Sequence, residues 1–515
     1  MQTYLFSSSP VSASKTDGMR TPRNKRGALE DMSSSSVNRR ASFLPTPDAS
    51  PTPVKKQRLE FVVDERASAL RGRGRALLDR ELGCGHGRPA GGVCRRDYLM
   101  ETQLFHSTGA DVYPLEERED AVPLPFAVCC CKQNSLAAVG DENGLVHFVD
   151  TTDEPDQGRK APLLQMICHN NAIFDLEFSH DDRFLATSSG DQTVRVFDVQ
   201  AHKCKVIMCA GDGSSVKQVA YAPGSDDIVL ASSRAGIISL FDLRCPTTLT
   251  GLGPSLSPVS RVMRAHADGG RGRGTKNRCS TPSVTALAWV SERTFVSGSE
   301  SNGMLKLWDT RHMTLANRTA RAVAQTPDLA AETRTRDFGV TSIGVDHTGG
   351  RLWALARDSR LYSYALGAPG NQPLEILSHP QLAVDSFYVK LAVMPGGDSK
   401  HGLAGNYVAC GSSSNAVVVF PSGHGAGVPG REPVHMDKLG RRARLDGRRL
   451  GTALAGGHAK EVTGVAWSQD GDLVSIGDDK TARVWRAAPD VAARDRRLAR
   501  APPAYALDRA TAETY

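Results

Sequence analysis

Short stretches of alternating apolar and polar residues, separated by turn residues, recur along the chain from about residue 120 onward. The clearest example runs from residue 169 to residue 198. Its alternating segments are residues 174–178, 184–186 and 194–196. A period of two is typical of half-buried β-strands. Because His-Asp-Asp at 180–182 and Gly-Asp at 190–191 supply turn chemistry between these segments, the stretch predicts two consecutive hairpins.

The same strand pattern returns with a period of about 40–60 residues, which indicates a repeat architecture. We count seven repeats. Their second strands begin near residues 136, 184, 228, 295, 352, 407 and 473. Third strands that end in Phe-Asp or Trp-Asp resemble the close of a WD repeat. Seven four-stranded blades close a ring without a long free edge, so the sequence predicts an all-β, seven-bladed WD-repeat β-propeller.

Two repeats carry the polar residues that stabilise a WD blade from within. The first set is His169, Thr187 and Asp191, with Phe197 where tryptophan is usual; the second is His458, Ser475, Asp479 and Trp485. A buried polar set must satisfy its own hydrogen bonds, which explains why these residue types occur together. Phe197 cannot donate a hydrogen bond, so the first network is expected to lack one member.

Composition divides the 515-residue chain into three parts. Residues 1–119 are rich in Ser, Pro, Arg and Gly with few periodic apolar positions, which predicts a long, mostly disordered N-terminal extension. Residues 120–487 are the predicted propeller, and residues 488–515 are a short C-terminal tail. The formal net charge of +7 is too small to argue for direct nucleic-acid binding.

The extension carries two kinds of short signal. Thr21, Thr46, Ser50 and Thr52 each precede a proline and are candidate sites for proline-directed kinases. The basic clusters at residues 22–26 and 54–58 are candidate nuclear-import signals, so we expect the protein in the nucleus.

Catalytic and cofactor motifs are not expected in this sequence. It contains no phosphate-binding loop, no HExxH and no convincing nucleophile–base set. Cys84, His86 and Cys94 match no zinc-binding spacing, so no metal is predicted. No apolar run approaches the roughly 18 residues of a membrane span. The scattered cysteines, with a run at 129–131, indicate a reducing compartment.

Two consecutive repeats end in an Asp-x-Arg sequence: Asp242-Leu243-Arg244 and Asp309-Thr310-Arg311. An arginine just beyond a third strand places a guanidinium on one face of the disk, available for forked hydrogen bonds. The pattern is similar to that of propellers that serve as substrate receptors for cullin–RING ubiquitin ligases. That similarity implies that these arginines, with their aspartates, dock on the ligase's adaptor.

Further segments resemble the denticleless family of cullin-4-type substrate receptors over about residues 105–487, and the short tail looks fungal rather than animal. The resembling segments are residues 122–126, 137–144, 169–176, 190–199, 241–245 and 386–390. The resemblance implies docking on a damaged-DNA-binding multi-propeller adaptor with its cullin. It also implies recruitment of sliding-clamp-bound replication and cell-cycle proteins for polyubiquitination, without catalysis, cofactor, membrane or direct contact with nucleic acid.

The substrate residues are less well defined. An acidic rim would complement the basic residues that substrates of this family carry, and Asp141 and Glu142 are the candidates. A clamp-binding pattern, Gln381 to Tyr388, fits by spacing, but Phe387 and Tyr388 are expected on a covered strand. A chromatin- or histone-binding WD-repeat scaffold is the alternative interpretation, and only the ligase interpretation requires Arg244 and Arg311.

Overall fold

The computed structural model shows a propeller. It describes residues 102, 104–115, 123–152, 162–251, 253–267, 281–314, 320–329, 338–346, 350–367, 370, 372–395, 407–422, 448–449, 451–487 and 511–514. All of these lie in one compact unit, residues 88–515. The predicted disorder, kinase sites and import signals of the extension, and the set Cys84, His86 and Cys94, fall outside the described residues.

The chain enters the described region with two short strands, β1 (Phe105–His106) and β2 (Val112–Pro114), joined by the 3-10 turn Gly109–Asp111. Blade 1 then consists of β3 (Pro125–Cys130), β4 (Leu136–Asp141), β5 (Leu145–Asp150) and β6 (Leu164–Ile167). Blade 2 consists of β7 (Ile173–Phe178), β8 (Phe184–Ser189), β9 (Thr193–Asp198) and β10 (Lys203–Cys209).

Blade 3 contains β11 (Val216–Tyr221), β12 (Ile228–Ser233) and β13 (Ile238–Asp242). The hairpin β14 (Thr248–Thr250) and β15 (Gly253–Leu256) follows, and it pairs with β10 of blade 2 before β16 (Ser260–Val262) completes blade 3. Blade 4 is β17 (Val284–Trp289), β18 (Thr294–Ser299), β19 (Lys306–Asp309) and β20 (Ala324–Gln325), with the 3-10 turn Thr310–His312 after β19.

Blade 5 is β21 (Val340–Asp346), β22 (Arg351–Ala356), β23 (Arg360–Ala365) and β24 (Glu375–Ser378). Blade 6 is β25 (Leu391–Val393), β26 (Tyr407–Cys410), β27 (Val417–Pro421) and, after β28 (Arg448–Arg449) on the edge of blade 5, β29 (Thr452–Ala455). Blade 7 is β30 (Val462–Trp467), β31 (Leu473–Gly477) and β32 (Thr481–Ala487), and β33 (Thr511–Thr514) pairs with β29. The described strands thus form seven sheets, which confirms the predicted fold class.

The outer strand of blade 7 comes from the N-terminal side of the chain. Both β1 and β2 pair antiparallel with β32, in the register Phe105↔Ala487 and Val112↔Arg483. The boundary predicted at residue 120 is therefore wrong, because residues 105–115 belong to the propeller. Their apolar side chains are buried in the core of blade 7 and its neighbours, so this closure joins the two ends of the ring.

A buried arginine fixes this closure. The Nε of Arg486 donates to Asp111 at 2.9 Å, and its Nη1 donates to Asp472 at 2.7 Å. The same guanidinium donates to the carbonyls of Thr151 and Thr152 in blade 1. Its side chain is 4% exposed. In this blade an arginine follows the tryptophan, whereas the third strands of blades 1 to 4 end in aspartate, and it ties blade 7, the N-terminal segment and blade 1 together.

Strand direction defines two faces. Innermost strands and third strands run the same way, because the first three strands of each blade pair antiparallel in succession. We call the face where the innermost strands begin the upper face, and the face where the third strands end the lower face. In six blades the register shifts at the second residue of the innermost strand, so a β-bulge marks the upper end of the channel.

Candidate functional site

The predicted WD network of blade 7 is assembled in the structure. The Nδ1 of His458 lies 3.0 Å from Asp479, and its Nε2 lies 2.7 Å from the Ser475 hydroxyl. The indole Nε1 of Trp485 donates to the same hydroxyl at 2.9 Å. Burial alone would raise the pKa of Asp479, but hydrogen bonds from His458 and nearby N–H groups lower it to about 2. These four residues bind each other, and their role is structural.

Blade 2 has the same arrangement without its tryptophan. His169 lies 2.9 Å from Asp191 and 2.8 Å from the Thr187 hydroxyl. Phe197 is buried in an apolar cluster and donates nothing. The Thr187 hydroxyl donates instead to the carbonyl of Arg195 at 3.2 Å. Burial lowers the pKa of His169, so the imidazole is neutral at physiological pH.

Blade 4 carries a related histidine at the start of its repeat, where the sequence predicts a structural network member. The Nε2 of His266 lies 2.8 Å from Ser297, which also accepts from Trp308 at 2.8 Å. Burial, and then the charge of Lys306, lower the pKa of His266 to about 3. Among the described residues of blade 4, no aspartate bonds to this ring, so no carboxylate there would stabilise its protonated form.

We expect the free energy of unfolding to fall as pH drops from about 6.5 toward 3. Unfolded His266 and His169 take up protons near pH 6.5, whereas the folded rings resist protonation, so the unfolded state binds more protons in this window. Each such ring contributes a slope of up to about 1.4 kcal/mol per pH unit. Urea unfolding between pH 7.0 and 4.5 measures the slope, and His266→Asn should reduce it. An equal slope in His266→Asn would contradict the conclusion that the lowered pKa of His266 causes the loss of stability.

The two Asp-x-Arg sequences form a matched pair on the lower face of neighbouring blades. Arg244 donates from Nε to Asp242 Oδ1 at 2.9 Å and from Nη2 to Oδ2 at 2.8 Å. Arg311 donates in the same way to Asp309, at 3.0 Å and 2.6 Å. Each arginine side chain is 65% exposed. The aspartates therefore hold both guanidiniums in fixed orientations while their remaining N–H groups face solvent.

Blade 2 adds a third guanidinium of this kind, which the sequence did not reveal. Arg183 donates from Nε to Asp198 at 3.4 Å and is 60% exposed. It comes from the turn before β8, whereas the aspartate ends β9, so no Asp-x-Arg spacing signals it. Three consecutive blades thus present an aspartate-held arginine on the lower face.

The two acidic candidates have different environments. Asp141 is fully buried and accepts hydrogen bonds from the N–H groups of Asn143 and Leu145 and from His147 Nε2 at 2.9 Å. The assignment of Asp141 to substrate binding is therefore wrong, because its buried carboxylate is fully hydrogen-bonded within the turn between β4 and β5 and the neighbouring His147. Glu142 is exposed on the upper face, where it accepts from the N–H of Leu124 at 3.1 Å.

The clamp-like segment is also placed differently from the expectation. Strand β25 begins only at Leu391, so Phe387 and Tyr388 lie in a loop and not on a covered strand. Tyr388 is 36% exposed. Val384, the aliphatic member of the pattern, is buried in the core of blade 6. The segment as folded cannot present its aliphatic and aromatic members on one surface.

The described part of the central channel contains a cavity of about 340 Å³ toward the lower face, lined by residues of blades 2 to 5. Burial raises the pKa of Asp175 to about 7, although Lys390 opposes this, and burial also raises the pKa of Glu177. Asp175 and Glu177 each accept a backbone N–H from blade 3. These contacts join neighbouring blades, which is a structural role.

Neither a metal site nor a membrane helix is found in the described part of the chain. No group of three His, Cys, Asp or Glu side chains there could hold a metal ion. No helix among the described residues is long and apolar enough to cross a membrane.

Comparison with known proteins shows the family to which the chain belongs. The WD domain, G-beta repeat family matches residues 160–198, 275–309 and 450–486. The chain is 31% identical to Cell division cycle protein cdt2 of Schizosaccharomyces pombe over 504 residues, which cover 90% of this chain and 92% of that protein. The chain belongs to the cdt2/denticleless family.

Animal members of the cdt2/denticleless family match a smaller share of this chain. Protein lethal(2)denticleless of Drosophila melanogaster is 27% identical over 70% of this chain and 44% of its own length. The Denticleless protein homolog of Mus musculus is 27% identical over 72% of this chain and 47% of its own length. The chain thus spans less than half of these animal relatives but nearly all of the yeast one.

Proposed function

We propose that this chain is a non-enzymatic substrate receptor of a cullin–RING ubiquitin ligase that acts in the nucleus. It docks by its lower face on a multi-propeller adaptor of the damaged-DNA-binding type, which is bound to a cullin. It recruits sliding-clamp-bound replication and cell-cycle proteins for polyubiquitination. Membership in the cdt2/denticleless family supports this proposal, and the observation that carries it is the pair of aspartate-held arginines in blades 3 and 4.

The geometry of that pair suits a docking surface. A free arginine loses side-chain entropy when it is fixed by a partner, and the bidentate aspartate contacts already restrict Arg244 and Arg311. Two fixed, exposed guanidiniums one blade apart can each give forked hydrogen bonds to carboxylates or carbonyls of the adaptor. Arg183 extends the same row into blade 2.

The upper face is then left for the substrate. It lies on the opposite side of the disk from the arginine row, so a docked adaptor does not cover it. Glu142 is exposed there, whereas Asp141 is not. We assign Glu142 to the acidic rim that meets basic residues of the substrate.

Affinity purification of the tagged chain from nuclear extract, read by mass spectrometry, tests the proposal. Adaptor and cullin peptides are the expected partners, and their recovery should fall when Arg244 and Arg311 are replaced. A purification that returns histone-complex proteins and no adaptor would support a chromatin-binding scaffold instead. The Arg357→Ala variant is the control, because Arg357 is an exposed arginine on the upper face.

A further inference from the structure

The bulges at the upper mouth of the channel carry apolar or hydroxyl side chains in every case but one. The extra residue of each bulge lies between the paired positions of its register shift. In chain order these residues are Phe126, Phe174, Lys217, Thr285, Thr341 and Thr463. The three threonine hydroxyls each donate to a backbone carbonyl. Lys217 in blade 3 is thus the one charged residue of the set.

The ammonium of Lys217 has no hydrogen-bond acceptor among the described residues. Its Nζ lies 3.7 Å from the centre of the Phe174 ring and 6.0 Å from the centre of the Tyr388 ring. A ring face attracts a cation but does not replace a carboxylate or carbonyl as an acceptor. The N–H groups of this ammonium are therefore available to a partner.

Arg234 adds a second cation at the same place. It follows β12, in which Ser233 pairs with Val216, and its N–H donates to the carbonyl of Ser215 at 2.9 Å. Arg234 is exposed, and no described residue accepts a hydrogen bond from its guanidinium. This differs from the arginines of the lower face, which are held by aspartates. Blade 3 therefore presents two neighbouring cations without a paired carboxylate.

These two cations and a third one repel each other. Burial, followed by repulsion from Lys390 and Arg234, lowers the pKa of Lys217 to about 8. Lys390 donates from Nζ to the carbonyl of Thr341 at 3.1 Å and is attracted by Asp175, so its charge is partly compensated. An anion bound among the three side chains would relieve the repulsion. We call Lys217, Arg234 and Lys390 the basic cluster.

One carboxylate lies near the basic cluster without neutralising it. The charge of Glu300 opposes the lowering of the Lys217 pKa. Its Oε1 accepts the N–H of Ser283 at 3.2 Å, and within the described residues no salt bridge joins it to Lys217. Glu300 is exposed, so solvent and salt screen its charge. The cluster thus keeps an excess of positive charge.

The number of free cations suits a phosphate group. A phosphorylated serine or threonine carries a charge of about −1.5 to −2 near pH 7 and three strong acceptor oxygens, which match two unpaired cations. A carboxylate would compensate one of them. A nucleic acid requires cations along successive phosphates. On this face, however, Glu142, Glu300 and Glu461 interrupt the positive charge.

We propose that the basic cluster binds the phosphate of a phosphorylated serine or threonine in an extended peptide. Lys217 and Arg234 donate to the phosphate oxygens, and a neighbouring residue of the peptide packs on the ring of Tyr388, which is 36% exposed. The inference goes beyond the proposed function, which assigns only an acidic residue of the upper face to substrate binding.

Selection of short peptides with a central phosphothreonine on the purified full-length chain supplies the probe. The selected sequence is then synthesised with phosphothreonine, glutamate or threonine at that position, and affinities are measured by fluorescence polarisation. The phosphorylated form should bind at least about 10-fold more tightly than either other form. Lys217→Met and Arg234→Gln should each weaken its binding roughly 10- to 100-fold.

Glu300→Gln should have the opposite effect. It removes a carboxylate that repels the phosphate, so the phosphorylated peptide should bind more tightly, by up to about 5-fold. A change of opposite sign at a neighbouring residue separates a charge effect from a general disturbance of the fold.

Arg357→Gln is the matched control for Arg234→Gln. Arg357 occupies the corresponding turn of blade 5 and is likewise exposed. Its Nη2 donates to the carbonyl of Asp385 at 2.8 Å, and its charge does not lower the pKa of Lys217. This variant should bind the phosphorylated peptide like the wild type, and all four variants should keep the wild-type unfolding midpoint.

Failure to select any phosphopeptide, equal affinity for the glutamate or threonine form, or equal loss in Arg234→Gln and Arg357→Gln overturns the inference. Tighter binding of a single-stranded oligonucleotide than of the selected peptide, with the same dependence on Lys217, would assign the cluster to nucleic acid instead. Failure of the adaptor to co-purify, with phosphopeptide binding intact, would overturn the ligase proposal and leave this site standing.

Discussion

Replacing both Arg244 and Arg311 by alanine is expected to abolish adaptor binding at cellular concentrations. Each arginine is held by its aspartate with a free edge toward the partner, so its loss leaves the partner's acceptors unpaired in a desolvated contact. Loss of one such contact typically weakens binding roughly 30- to several-thousand-fold. Surface plasmon resonance with purified adaptor measures the single variants and the pair.

Thermal unfolding of the same samples separates a docking role from a structural one. Both side chains are largely exposed, so the midpoint should stay close to that of the wild type. Arg357→Ala, on the opposite face, should change neither quantity. A double variant that unfolds earlier and still binds the adaptor would show that these arginines stabilise the fold instead.

Arg486→Leu is expected to destabilise the propeller by about 3–5 kcal/mol, because it leaves partners of a buried charge uncompensated. The carboxylates of Asp111 and Asp472 and two carbonyls of blade 1 all lose a donor. The segment 105–115 should detach most readily, since Asp111 anchors it. Urea unfolding measures the loss, and hydrogen exchange of residues 105–115 should accelerate.

Arg183→Leu is the comparison for Arg486→Leu. It removes an aspartate-paired arginine of the lower face that is mostly exposed, so its urea midpoint should stay near that of the wild type. Equal destabilisation by both variants would contradict the view that burial distinguishes a structural arginine from a docking one.

The strands within each blade could be predicted from the sequence because they are local. Segments such as 174–178 and 184–186 alternate apolar and polar residues, and their turns have diagnostic residues. The closure of blade 7 could not be predicted, because β1 and β2 have two and three residues and pair with a strand more than 360 positions away. A period of two cannot be recognised over such short segments.

The candidate site residues also fall into those that the sequence could identify and those that only the structure reveals. The Asp-x-Arg pairs are defined by neighbours in sequence, and in the structure both arginines are exposed and bonded to their aspartates. Asp141 and Glu142 are adjacent and equally acidic, yet one is buried against His147 and the other is exposed. The rings of Phe126, Phe174 and Tyr388 come from blade 1, blade 2 and the loop before blade 6, so only the closed ring shows that they meet.

The most direct test of the receptor role is ubiquitin transfer in a reconstituted reaction. The reaction contains the purified adaptor–cullin–RING complex, a sliding clamp loaded on DNA and a clamp-bound replication protein. The account predicts that ubiquitin chains form on that protein only when the wild-type chain is added, and not with Arg244→Ala/Arg311→Ala. Equal transfer without the chain, or undiminished transfer with the double variant, would contradict it.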